Sequence, residues 1–284
     1  MSDPAIGRSI GERLRSRRSL FGAWTSLGHP SITELFTAAG VDFIGIDLEH
    51  STISEEQAQQ IIAASHAGGV ACLPRAASQN GEQIRRLLDS GADGVIVPNV
   101  ATPAQAAQIV AWSKYPPIGR RSYGVARAQG YGHQFEAYTA AWNARSAIIL
   151  QVESIEGVAA IDGLLAHEAI DGVMVGPYDL SGSLGMPGQL GHPKVTEACA
   201  RVIRACRRAG KACGTQLIDP MAESVTRTLA AGYTFVVLAS DVFILWKWGE
   251  RMRDLVEGCR REAGRSAERP RRRARRAVQS GAAR

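Results

Sequence analysis

The stretch GEQIRRLLDSGADGVIVPNV (81–100) holds a helix, a stop and a strand in quick succession. Ile84, Leu87 and Leu88 repeat at the spacing of one helix face, a glycine closes the run, and a short apolar strand follows. The same order recurs along the chain. Strand-like runs occur at FGAWTSLG (21–28), DFIGIDLE (42–49), ACLPRA (71–76), GVIVPNV (94–100), AIILQVES (147–154), GVMVGPYD (172–179), ACGTQL (212–217) and FVVLAS (235–240). Helical segments such as PSITELFTAAG and PMAESVTRTLAAG lie between them.

Eight such repeats predict an α/β fold, a (β/α)8 TIM barrel, over residues 1–258. A doubly wound sheet alternates in the same way, but it normally carries a Gly-rich fingerprint after its first strand, and TSLGHPS is not one. One connection is unusual. Between the fourth and fifth strands, 101–146 holds a helix and then KYPPIGRRSYGVARAQGYG, a long loop of the kind that is more often functional than idle.

The net charge of +6 is unevenly divided. Residues 260–284 carry ten Arg and two Glu, a net of +8, which leaves the rest of the chain at −2. Dense like charge with little apolar content predicts a disordered tail over 259–284, attractive to polyanions such as nucleic acid or simply solvated. No apolar run is long enough for a membrane span, and the N-terminal MSDPAIGRSIGERLRSRRS lacks a signal-peptide core. Five cysteines without pairing or finger spacing fit buried or free thiols in a reducing cytoplasm.

In a TIM barrel the C-terminal strand ends converge on one mouth, where the chemistry occurs. Here they supply Glu49 and His50, Arg75, Gln151 and Glu153, and Asp179. Glu153 and Asp179 close neighbouring strands and can reach one point. Such a pair suits a hard cation such as magnesium or manganese, or a general acid and base as in sugar hydrolysis; spacing does not choose between them. None of the four lysines sits at a strand's C-terminal end, which disfavours imine chemistry.

GIDLEH (45–50), PRA (74–76), LLDSGADGVIVP (87–98), YPPIGRRSYG (115–124), LQVES (150–154) and GPYDLSGSLG (176–185), in this order, resemble the HpcH/HpaI family of metal-dependent, pyruvate-dependent class II aldolases. The resemblance runs from about residue 10 to 258. It implies Glu153 and Asp179 as ligands of a divalent ion, magnesium, manganese or cobalt. It implies Arg75 on the pyruvyl oxygen, His50 as base and Asp89 as the acid that supports it. Gln151 would lie beside the metal, with Gly176 and Pro177 shaping the backbone around the pyruvate carboxylate. Glu49 would order metal-bound water or make a plain loop contact, and Asp47 would satisfy backbone donors. The loop with Ser122 and Tyr123, where relatives differ, would border the aldehyde half.

The implied reaction is reversible cleavage of a 4-hydroxy-2-oxo acid to pyruvate and an aldehyde. Oxaloacetate decarboxylation or a macrophomate-synthase-like lyase reaction would use the same enolate. From a different class, a non-catalytic barrel with a polyanion-binding tail is the rival. The resemblance also implies a homo-oligomer, a hexamer of dimers that swap the last helix (241–258), in which Trp246 and Trp248 serve as partner contacts or as barrel packing.

Overall fold

The computed structural model describes residues 9–281, with side chains through 263. Eight parallel strands close into a barrel in sequence order: β1 (Leu20–Thr25), β2 (Phe43–Asp47), β3 (Ala71–Arg75), β4 (Gly94–Val97), β5 (Ala147–Val152), β6 (Gly172–Val175), β7 (Ala212–Leu217) and β8 (Phe235–Ser240). All eight strands expected from the sequence are present. The helices are α1 (Ile10–Arg15), α2 (Pro30–Ala38), α3 (Glu55–Ala67), α4 (Gly81–Asp89), α5 (Pro103–Ser113), α6 (Phe135–Arg145), α7 (Ile155–Ala159), α8 (Ile161–Leu165), α9 (Pro177–Ser183), α10 (Pro193–Arg208), α11 (Ala222–Ala230) and α12 (Asp241–Gly281).

The barrel centre is packed by pairing large residues with glycines on the adjacent strand. Phe43 stands opposite Gly22, Trp24 opposite Gly45 and Phe235 opposite Gly214 in the strand register. A Cβ on those glycines would come within 2.3, 2.2 and 2.0 Å of the facing rings. Leu73, Ile96, Ile149 and Met174 complete this inner core. Residues of alternate parity, such as Ile44, Ile46, Cys72 and Val95, face the helices.

At the N-terminal end one polar device repeats before every even strand. Asp42, Asp93, Asp171 and Thr234 each take, through the side chain, the N–H of the second residue of the preceding strand. The bonds measure 2.7 Å to Phe21, 2.8 Å to Cys72, 2.8 Å to Ile148 and 3.0 Å to Cys213. These side chains satisfy strand-start donors that the ladder leaves open.

The long connection also belongs to this end. α5 carries the chain away from the mouth. Lys114, buried after it, then donates to Ser146 O at 2.9 Å, Ser146 Oγ at 2.8 Å and Asn143 O at 3.0 Å. The segment includes α6, which the sequence does not announce because its aromatic residues are spaced among alanines.

The chain divides into two compact units, one ending at Val242 and one beginning at Phe243, the latter being the continuation of α12. The helical backbone runs past 258, through a segment expected to be disordered. The side chains of 264–281 and all of 282–284, which carry most of the expected polyanion-binding charge, lie outside the described residues. No helix among the described residues is long and apolar enough to cross a membrane.

Gly45→Ala is expected to lower stability by about 1–3 kcal/mol, the usual cost of overpacking a close-packed core. Urea unfolding measures this; an unchanged midpoint would mean that the Trp24 ring does not depend on the missing Cβ.

Candidate active site

The last register pair of the β2–β3 ladder is Asp47 with Arg75. Both side chains are buried, and Asp47 Oδ1 accepts from Arg75 Nη2 at 2.7 Å and Nε at 3.2 Å. The same oxygen accepts the backbone N–H groups of Glu49 at 3.1 Å and His50 at 3.0 Å. The expectation that Asp47 satisfies backbone donors at the mouth agrees with this geometry. It also fixes a guanidinium, which the sequence does not reveal.

Trp24 completes that setting. Its ring lies 5.2 Å from the Arg75 guanidinium carbon. Burial would raise the Asp47 carboxyl, but the Arg75 charge and the hydrogen bonds from Arg75 and the His50 N–H outweigh it and hold it below its ordinary value. Sequence reading passes over Trp24 because an aromatic inside an apolar run looks like core.

Glu49 stands on the other side of the arginine, with Oε2 at 3.2 Å from Arg75 Nη1 and 3.8 Å from His50 Nε2. Its carboxyl is pushed up, first by burial and then by the nearby charge of Glu153, against the pull of Arg75. The His50 side chain is 69% exposed and faces the solvent side of the mouth.

Glu153 lies just past β5 and is buried. It accepts the Asn99 backbone N–H at 2.8 Å and the Gln151 side-chain amide at 2.5 Å. Gln151 Oε1 is buried with no hydrogen-bond partner. β6 is shorter than expected and ends at Val175, because Gly176 caps and Pro177 begins α9, which presents the exposed Asp179 in its first turn. A Cβ on Gly176 would lie 2.9 Å from Glu153 Oε2 and 3.7 Å from Asp179 Oδ2. The glycine therefore leaves a cradle between the two carboxylates. This space, the two carboxylate groups and the unpartnered amide oxygen suit a hard divalent cation. Two protein ligands leave about four places on an octahedral ion. Among the described residues no group of three His, Cys, Asp or Glu is arranged to hold a metal.

Asp89 is not part of this constellation within the chain. It ends α4 at the N-terminal side of the barrel, since a helix that precedes a strand delivers its last residue to that strand's start. There it accepts from Arg121 Nη2 at 2.6 Å. Arg121 is buried, with its guanidinium carbon 4.8, 5.7 and 4.6 Å from the rings of Tyr115, Tyr138 and Trp142. Tyr123 stacks on Tyr115 with ring centroids 4.6 Å apart. Asp89 and the loop bearing Ser122 and Tyr123 thus lie opposite the mouth, contrary to the expectation that they border His50 and the aldehyde.

Residues 20–247 match the family described as HpcH/HpaI aldolase/citrate lyase. Over 249 residues the chain is 33% identical to the hydroxypyruvate/pyruvate aldolase of Roseobacter denitrificans, covering 87% of this chain and 96% of that protein. It is 37% identical over 238 residues to the 2-keto-3-deoxy-L-rhamnonate aldolase of Salmonella typhi, with 82% and 87% covered. The crystal structure of a HpcH/HpaI aldolase/citrate lyase family protein from Burkholderia cenocepacia superposes with a TM-score of 0.82 at 32% identity, over 87% of this chain and 98% of that one.

Asp47→Asn is expected to destabilise the protein by about 3 kcal/mol at neutral pH, because it leaves a buried guanidinium short of its closest charge. A depressed carboxyl contributes its full stability above the unfolded-state value near 4 and loses it as pH falls through the lower folded-state value. The gap between wild type and variant should therefore narrow below about pH 4 in denaturant titrations. A gap independent of pH would rule out the ion pair as its source.

Proposed function

Because the chain belongs to the HpcH/HpaI aldolase/citrate lyase family, we propose that it is a divalent-cation-dependent aldolase that reversibly cleaves a 4-hydroxy-2-oxo acid into pyruvate and an aldehyde. The observation that carries this reading is the cradle over Gly176, bounded by Glu153 and Asp179 and tied through Asn99 and Glu49 to Arg75. The aldolase relatives support the pyruvate half of the reaction.

Glu153 and Asp179 would hold the cation, with Gln151 Oε1 beside it. When bound, magnesium, manganese or cobalt supplies Lewis-acid polarisation of the 2-oxo acid. Arg75, pinned by Asp47 and Trp24, offers a fixed positive partner for the negative charge that grows on the 2-oxo oxygen as the C3–C4 bond breaks. His50 takes the proton of the C4 hydroxyl as the C3–C4 electron pair moves toward C3 and the aldehyde departs, and a proton delivered to C3 by His50 or solvent completes pyruvate. The imidazole's exposure lets it reach a substrate whose carboxylate end lies deeper, against the backbone of Gly176 and Pro177. Asp47 orients the His50 backbone, and Glu49 lies between the base and the arginine.

Chelation is expected to abolish pyruvate release from 4-hydroxy-2-oxo acids, and added magnesium, manganese or cobalt to restore it. Glu153→Ala and Asp179→Ala should each lower the restored rate by about 100-fold or more, with circular dichroism unchanged. His50→Ala should lower kcat by about 100- to 10,000-fold while inhibition by pyruvate changes little. Full turnover after chelation would overturn the cation's role.

A further inference from the structure

Asn99 follows β4 with a backbone φ of +55°, in the left-handed region that side chains other than glycine seldom occupy. This bend turns two successive N–H groups toward β5. That of Asn99 meets Glu153 Oε1 at 2.8 Å, and that of Val100 meets the Gln151 carbonyl at 3.1 Å. Gln79 secures the bend from outside, its amide donating to the carbonyls of Asn99 at 2.7 Å and Pro98 at 3.3 Å. Asparagine is among the few residues other than glycine that adopt this region readily, so the bend and a reaching amide are available at one position. Its Nδ2 lies 3.4 Å from Glu49 Oε1, across the mouth.

We infer that Asn99 is a positioning residue for the proposed reaction, holding Glu153 through its backbone and Glu49 through its amide. It thereby sets the spacing between the cation cradle and the Arg75 side of the mouth. The inference rests on the aldolase reading above. The two halves of the residue act on different quantities. The backbone bond fixes a cation-holding carboxylate, and loss of such a supporting contact typically weakens metal binding 10- to 100-fold. The amide bond steadies Glu49 beside Arg75, whose charge matters most when the transition state forms, so its loss falls on kcat.

Two variants separate these effects. Asn99→Gly keeps the left-handed backbone and its N–H but deletes the amide. Asn99→Val introduces a β-branched residue that resists positive φ and displaces the N–H. Manganese affinity of the substrate-free protein is read by titration calorimetry, and kcat and KM by pyruvate release. Asn99→Gly is expected to bind manganese within about twofold of wild type and to lose about tenfold in kcat with little change in KM. Asn99→Val is expected to bind manganese 10- to 100-fold more weakly. Should Asn99→Val fail to fold, Asn99→Gly decides alone. Wild-type kcat in Asn99→Gly, or wild-type manganese affinity in folded Asn99→Val, overturns the inference while an active wild type leaves the aldolase reading standing. A wild type that neither binds manganese nor releases pyruvate overturns both.

Discussion

A guanidinium buried at the end of an apolar barrel dominates the mouth. Arg75 cannot remain there without charge partners, and the parallel register of β2 and β3 places Asp47 directly opposite it. Once that pair is set, neighbouring features acquire fixed positions. Trp24 lies against the guanidinium, Glu49 approaches from the other side, and the His50 backbone is tied to the same carboxylate. The glycines that admit Trp24 and its fellow aromatics to the barrel centre are therefore part of the site's construction as well as its packing.

The two ends of the barrel use similar polar groups differently. At the N-terminal end, Asp42, Asp93, Asp171 and Thr234 take strand-start donors in a repeating pattern, and the polar contacts of Lys114 and Arg121 with their partners bind the long connection to the barrel. At the mouth the buried amide oxygen of Gln151 has no partner, and it lies where Gly176 leaves space between two carboxylates. Buried polar atoms without partners are costly, and this one, unlike Thr33 Oγ1 or Arg121 Nε elsewhere in the barrel, borders the proposed cation cradle.

Much of this arrangement is legible in the sequence, for definable reasons. Strands buried on both faces write themselves as continuous apolar runs, so all eight are visible, and the polar residues that end them reveal the mouth. Glu49, His50, Arg75, Gln151 and Glu153 stand out that way, and Asp179 lies just beyond, in the first turn of the helix that follows β6. Asp89 is marked by motif alone, and its place at the close of a helix before β4 puts it opposite the mouth of its own barrel. Trp24 is hidden by its apolar neighbours. Asn99 is marked in the sequence only by an asparagine just past a strand, and its value depends on a backbone angle that composition does not express.

In the proposed reaction Glu153 and Asp179 hold a cation beside the 2-oxo acid that Arg75 faces. Crystals soaked in manganese and pyruvate test this arrangement through the anomalous signal of the ion and the density of the acid. The expected result is manganese about 2.1 Å from oxygens of both carboxylates, with the 2-oxo oxygen of pyruvate in hydrogen-bonding reach of Arg75. Manganese bound elsewhere, or pyruvate ordered away from Arg75, would rule this arrangement out.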